Sequence, residues 1–406
     1  MSNETQTPQI PAEITLKEVN QVLSRTIKKD DTNKSLLFLG MLSAYTENSQ
    51  LNITLNAPSS SGKTYVTQEV SKLFPEEDKI IFSNATPTAL FYSRGTFDKT
   101  RDAKIIDLER KIIIFYEQPD STLQANLRPI LSHDSKELIY QRTNRNKSGE
   151  NRAEKIIFRG FSATVFCSAS QHLDEQEATR ALMLSPEISP EKIESAINAT
   201  ILRNANPTAF IKQIEDDPDR KALIERIRLI RDLNIGDILT PDPDTIKRRF
   251  LGFIGGSFKP RNMRDIEHLI QVIKCVALLN VWHREKDGVY YANEQDMEEA
   301  FRLWGDIVKT QELNTTPYLY SFYCNYIIGA YRKLNEEERK FGVSRQQIIK
   351  YYQEKTDTQL ADSTLQKNIL RNLQNSGLVL LVPHPSDRRQ LLVLPNKTIE
   401  TEGCMT

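Results

Sequence analysis

The stretch Leu51–Thr64 constrains the chain most. Leu51–Asn56 reads as a short apolar strand. It runs into Ala57-Pro58-Ser59-Ser60-Ser61-Gly62-Lys63-Thr64, and a helical pattern follows over Tyr65–Phe74. The loop matches the phosphate-binding pattern G-x-x-x-x-G-K-[ST] at Gly62, Lys63 and Thr64, with Ala57 in place of the first glycine. A loop entering a helix N-terminus turns successive backbone N–H groups toward an anion. Gly62 lets the backbone approach closely, Lys63 neutralises β- and γ-phosphate charge, and Thr64 offers a hydroxyl to Mg²⁺. Ala57 through Tyr65 are therefore the expected nucleotide-binding residues, and ATP with Mg²⁺ the expected ligands.

The rest of the chain supplies a matching frame. Further short apolar strands are expected at Lys79–Ser83, Lys111–Tyr116, Thr164–Ser168 and Ala181–Leu184. Wholly apolar strands alternating with helices imply a mostly parallel sheet covered on both faces, an α/β fold. Two helical patterns, Ile14–Lys29 and Thr32–Glu47, precede the core, and the pattern is helical from Pro190 to Val308. The expected divisions are a disordered tail over 1–12, N-terminal helices over 13–50, the nucleotide-binding core over 51–189, and a helical region over 190–335. A last module spans 341–395, and a tail spans 396–406.

A second nucleotide-site element is expected in Ile112-Ile113-Ile114-Phe115-Tyr116-Glu117. An apolar strand ending in an acid, after a phosphate loop, is the Walker B arrangement. Glu117 is placed to polarise an attacking water as general base and to assist the metal beside Thr64. The usual Asp before this acid is replaced by Tyr116.

Composition excludes some classes. The 406 residues carry 54 Lys plus Arg against 54 Asp plus Glu, a net charge of zero. A uniformly basic nucleic-acid coat is therefore excluded. The exception is local: residues 141–160 hold Arg142, Arg145, Lys147, Arg152, Lys155 and Arg159 against Glu150 and Glu154, six minus two, or +4. The four cysteines lie far apart, so a disulfide framework is not expected. The histidines show no metal spacing. With no apolar N-terminal segment and no membrane-length apolar run, the expected location is cytoplasmic, with no membrane partner.

The order of these motifs resembles the helicase-type AAA+ ATPases, nearest to the minichromosome-maintenance-like and superfamily 3-like helicases of mobile elements. The carrying stretches are Asn56–Thr64, Ile112–Asp120, Glu177–Leu184 and Arg264–Arg284. The resemblance implies a P-loop core, a helical lid, and self-association into a ring, commonly a hexamer. It implies a γ-phosphate sensor at Ser170, or Ser168, at the tip of the Thr164–Ser168 strand. Arg180 would reach a neighbouring subunit's nucleotide, and Arg264, with Arg261 as its rival, would read nucleotide from the lid. It also implies a DNA-gripping hairpin over 138–161, in which Arg142, Arg145, Lys147 and Arg152 meet phosphates of single-stranded or forked DNA, and a primase or replication-initiator partner.

Residues 341–395 read as a winged helix. Ser344 caps one helix, Ser363–Gln374 forms a second, and Leu378–Val382 with Gln390–Leu394 forms the wing. Lys367 and Arg371 lie on the second helix's polar side, and Arg388 and Arg389 at the wing tip; a protein-binding role suits the module equally. The whole reads as an ATP-dependent, ring-forming DNA helicase. The competing reading is an ATP-gated DNA-binding switch or loader that unwinds nothing.

Overall fold

The computed structural model describes residues 11–86, 88–145, 151–169, 179–240, 242–256, 258–387 and 389–396. Most of the two expected tails, and Lys147, Ser170 and Arg388, lie outside them. The chain divides into two compact units. The first comprises Met1–Ile53, Thr64–Cys167 and Glu187–Asp306, and the second Thr54–Lys63, Ser168–Pro186 and Ile307–Thr406.

The central sheet has five strands: β1 (Asn52–Asn56), β2 (Lys79–Phe82), β5 (Lys111–Phe115), β8 (Ser162–Ser168) and β9 (Leu182–Leu184). Their order is β2-β5-β8-β1-β9. β5 pairs in parallel with β2 on one side and β8 on the other. β1 and β9 are buried along their whole length, as strands covered on both faces must be. β8 therefore lies between the strand that leads into the loop and the strand that leads to Glu117.

Helix α1 (Leu16–Leu23) opens with a capping box made by Thr15 and Glu18, and α2 (Asp31–Leu42) is buried from Lys34 to Leu42. Gly40 brings α2 close to β1, because an added Cβ would collide with the Ile53 side chain. α3 (Lys63–Ser71) follows the loop. α4 (Ser121–Leu131) is capped by Asp120, whose Oδ1 accepts the N–H groups of Thr122 and Leu123.

A second sheet belongs to the first unit. Its strands are β3 (Thr96–Asp98), β4 (Ala103–Asp107), β6 (Glu137–Arg145) and β7 (Asn151–Arg159), in the order β3-β4-β7-β6. β6 and β7 form an antiparallel ladder from Glu137 opposite Arg159 to Arg145 opposite Asn151. One core joins this sheet to α4, with Phe91, Phe158, Leu123 and Leu127 all buried. The sequence gives no sign of β3 and β4.

In the second unit, strands Val343–Ser344, Leu391–Pro395 and Val379–Pro383 form a three-stranded sheet in that order. Helix Arg345–Thr356 is capped by Ser344. The helical run Asp362–Asn375 buries Leu365, Ile369 and Leu373 and exposes Lys367 and Arg371. Cys167 and Cys275 are free and buried. Among the described residues no helix is long and apolar enough to cross a membrane, and no group of His, Cys, Asp and Glu is placed to hold a metal.

Candidate nucleotide-binding site

The loop is built from its root upward. Ala57 N–H donates to Ser168 O at 3.3 Å. Asn56 Nδ2 donates to Ser168 Oγ at 3.3 Å, and Ser185 Oγ donates to Asn56 O at 2.5 Å. Asn56 and Ser168 are almost fully buried. Ser185 in turn accepts Tyr318 N–H, and Gln311 bridges both backbone groups of Met183 in β9. Side chains thus fix the point from which the loop departs, so the loop need not carry that rigidity itself. Sequence reading passed over Ser185 and Gln311. A serine just past a short apolar strand is too common to flag.

Above this root the backbone turns twice into the left-handed region, at Ser60 (φ 64°) and Gly62 (φ 88°). Ala57 is not among the positive-φ residues. That explains its departure from the usual glycine: this backbone does not need one. A Cβ on Gly62 would meet nothing within 4 Å, so the glycine serves conformation and leaves open space above the loop. Lys63 is buried at 7% exposure. Its Nζ donates to Ala57 O and Pro58 O, each at 2.7 Å, and to Ser61 Oγ at 3.3 Å. The ammonium is therefore held by loop oxygens, which a phosphate oxygen can replace. An open cradle, a helix N-terminus and a lysine so held suit a nucleotide phosphate chain, and the adjoining Thr64 hydroxyl suits Mg²⁺.

In the first unit, Thr64 is half-buried at the start of α3. The side chain of Tyr65, a residue expected at the nucleotide, is engaged within the first unit. Its hydroxyl donates to Thr26 O at 3.0 Å, and the Arg203 guanidinium lies 5.6 Å from its ring centre. Burial pushes its phenol up. Tyr116 packs against α3. Burial raises its phenol, while hydrogen bonds with Gln68 and Ser71 pull the other way. Tyr116 is thus part of the strand–helix packing, and one acid directly follows it. That acid, Glu117, is exposed two residues past the strand.

Arg180 stands half-buried two residues before β9 in the second unit. Arg264 is found in the first unit, on the helix Asn262–Leu279, in an unforeseen setting. His268 on this helix is buried, and its pKa is pushed down to about 3, first by burial and then by Arg261, Arg264 and His133. His133 packs on Phe161 at 5.1 Å, and its Nε2 lies 3.3 Å from Ser162 O at the start of β8. Arg264 therefore lies close enough to His268 to disfavour its charged form. Arg261 is committed to Asp265 at 3.0 Å, with both side chains buried.

Of the expected DNA residues, Arg142 lies on β6 over the Tyr92 ring, 4.3 Å from its centre. Arg145 and Arg152 sit near the ends of the paired strands, with side chains outside the described residues. Arg159 is paired with Asp107, and Arg101 with Glu137 at 2.8 Å. Asp107 of β4 thus neutralises one cation at the base of the hairpin, whereas Arg101 adds a cation that is balanced by Glu137. Arg389 is exposed, with its N–H on Asp387 Oδ1 at 3.1 Å.

A family model described as the MTBMA_p00010 P-loop domain matches residues 15–217, half of the chain. The match runs from α1 through the whole five-stranded sheet. No curated protein matches.

Proposed function

The chain belongs to the MTBMA_p00010 P-loop domain family, and we propose that it is an ATP-hydrolysing, ring-forming motor that moves on DNA. The observation that carries the nucleotide half is the Lys63 cradle, with its left-handed Gly62 and open space. The strand order supports an additional-strand ATPase, since β8 is inserted between β1 and β5. In this reading Lys63 and the loop N–H groups hold phosphates, and Thr64 holds Mg²⁺, which would neutralise developing charge on the phosphates. Glu117 takes the proton of the attacking water. Arg180 serves the site of a neighbouring copy. The long β6–β7 hairpin with Arg142 supports a DNA-facing role, and the module over 341–395 supports an accessory winged helix. A mobile-element replication role, with a primase or initiator as partner, remains part of this proposal.

One observation favours the second reading, a DNA-binding switch. Tyr116 stands packed on α3 in the position where an Asp usually assists the metal, which suits slow turnover. Steady-state ATP turnover with and without single-stranded DNA, together with displacement of a labelled strand from a fork, separates the two. The motor reading expects DNA-stimulated turnover and displacement, both lowered roughly 10²–10⁴-fold in Glu117→Gln. ATP-dependent DNA binding without displacement leaves the switch. Absence of both removes the DNA role.

A further inference from the structure

Two aromatic rings beside the sheet β3-β4-β7-β6 face solvent: Tyr92, at the end of the one-turn helix Ala89–Tyr92, is 66% exposed, and Phe97, on the edge strand β3, is 62% exposed. Single exposed aromatics are ordinary. These two share one face of the sheet with cations. The register sets Phe97 beside Lys104, Lys104 beside Ile156, and Ile156 beside Tyr140. Residues paired in this way point to one face, and Arg142, two beyond Tyr140, points with them. The one-turn helix Ala89–Tyr92 is pinned to that face by Phe91, whose ring lies 5.2 Å from Tyr140 and 5.5 Å from Phe158. Lys104 Nζ donates to Phe91 O at 3.2 Å, which ties the Phe97 row to this turn. The Arg142 guanidinium lies over the Tyr92 ring and donates to its hydroxyl. It covers one side of the ring and leaves the other to solvent.

We infer that Tyr92 and Phe97 form a stacking platform for the bases of single-stranded DNA, with Arg142 and Lys104 beside them for the phosphates. The inference rests on the DNA-binding reading above. It goes further by placing base contacts on the two exposed rings at the margin of this face, whose middle is closed by Phe91 and Ile156, and by requiring unpaired bases. Every base offers a π-face to an aromatic ring, so such a platform is sequence-tolerant. A duplex hides those faces in its own stack. The cations give salt-sensitive affinity for the backbone. Arg142 also orients the Tyr92 ring before any strand arrives, which lowers the entropy lost on binding. A basic patch without rings would not distinguish a normal strand from one lacking bases.

The test uses the full chain and fluorescence anisotropy with three probes: labelled oligo-dT, an abasic strand of equal length, and the matching duplex. Wild type is expected to prefer oligo-dT. Tyr92→Ala and Phe97→Ala should each weaken oligo-dT binding roughly tenfold, leave abasic binding unchanged, and so collapse the preference. Tyr92→Phe should retain it. Basal ATP turnover should be the same in all, since neither ring belongs to the nucleotide site, and this also reports that the variants are folded. If wild type binds oligo-dT and the alanine variants bind it equally well, the platform is overturned while the DNA reading stands. If wild type hydrolyses ATP but binds none of the probes, platform and DNA reading fall together and the nucleotide reading survives.

Discussion

Two parts of the molecule gather cations, and they do so for opposite ends. In the loop over 57–63, one lysine is held by backbone carbonyls and a serine hydroxyl. Those acceptors are neutral, so an anionic ligand competes well for the ammonium. In the junction around Asn262–Leu279, Arg261 is bound to the buried carboxylate of Asp265, and a neutral His268 lies beside it. There the arginine is held by a buried carboxylate. The first arrangement is suited to exchange partners, the second to fix a helix in place. Burial pushes Asp265 up even though Arg261 pulls it down. The pair therefore locates the helix and adds little net stability.

The contrast can be broken at either end. The largest expected effect is in the junction. Asp265→Ala leaves Arg261 buried without its partner, and should cost about 3–5 kcal/mol in a urea melt. Nucleotide affinity of the folded fraction should not change. A variant that melts like wild type and loses nucleotide instead would erase the distinction.

Next comes acid. His268 titrates near 6.5 when unfolded and at about 3 when folded. At high pH both states are neutral there. As pH falls below 6.5 the unfolded state takes up the proton and the folded state does not, so stability is lost progressively down to about 3. Between pH 8 and 5 the loss is about 2 kcal/mol. Arg261, Arg264 and His133 face this group as cations or potential cations, and Asp265 as the nearby acid. His268→Gln should flatten that part of the stability–pH curve; an unchanged slope would place the histidine in a wetter setting.

The loop is expected to respond more mildly in stability. Gly62→Ala meets no steric obstacle, so only the left-handed backbone is penalised, by about 1–2 kcal/mol. The smallest effect sharpens the point. Ala57→Gly restores the usual motif, yet should gain nothing, because Ala57 is not left-handed. Loss of about 0.5–1 kcal/mol is expected from the freer unfolded chain, with nucleotide affinity kept. Tighter nucleotide binding in that variant would mean that the alanine constrains the cradle.

What could be read from the sequence follows the range of the interactions. The loop is local: Gly62, Lys63 and the helix start lie within a few residues, and the residue pattern alone specifies them. The apolar strands β1, β5 and β8 announce themselves because both faces are covered. Their order does not, since nothing within β8 says that it inserts between the other two. β3 and β4 were invisible because Thr96–Asp98 is too short, and Ala103–Asp107 is apolar on too few positions to exceed its charged neighbours. The side-chain surroundings of Tyr65 and Arg264 could not be read either: Thr26 and Arg203 reach the tyrosine from distant parts of the chain, and buried His268 neighbours the arginine.

The central claim is that Lys63 gives up its carbonyls for a phosphate. Titration of the full chain and of Lys63→Ala with Mg-ATP, followed by calorimetry, tests it most directly. The expected result is one-site binding by wild type, weakened on the order of 100-fold in the variant, with an unchanged melt. Equal affinity in the two proteins, or no binding by wild type, would contradict the account.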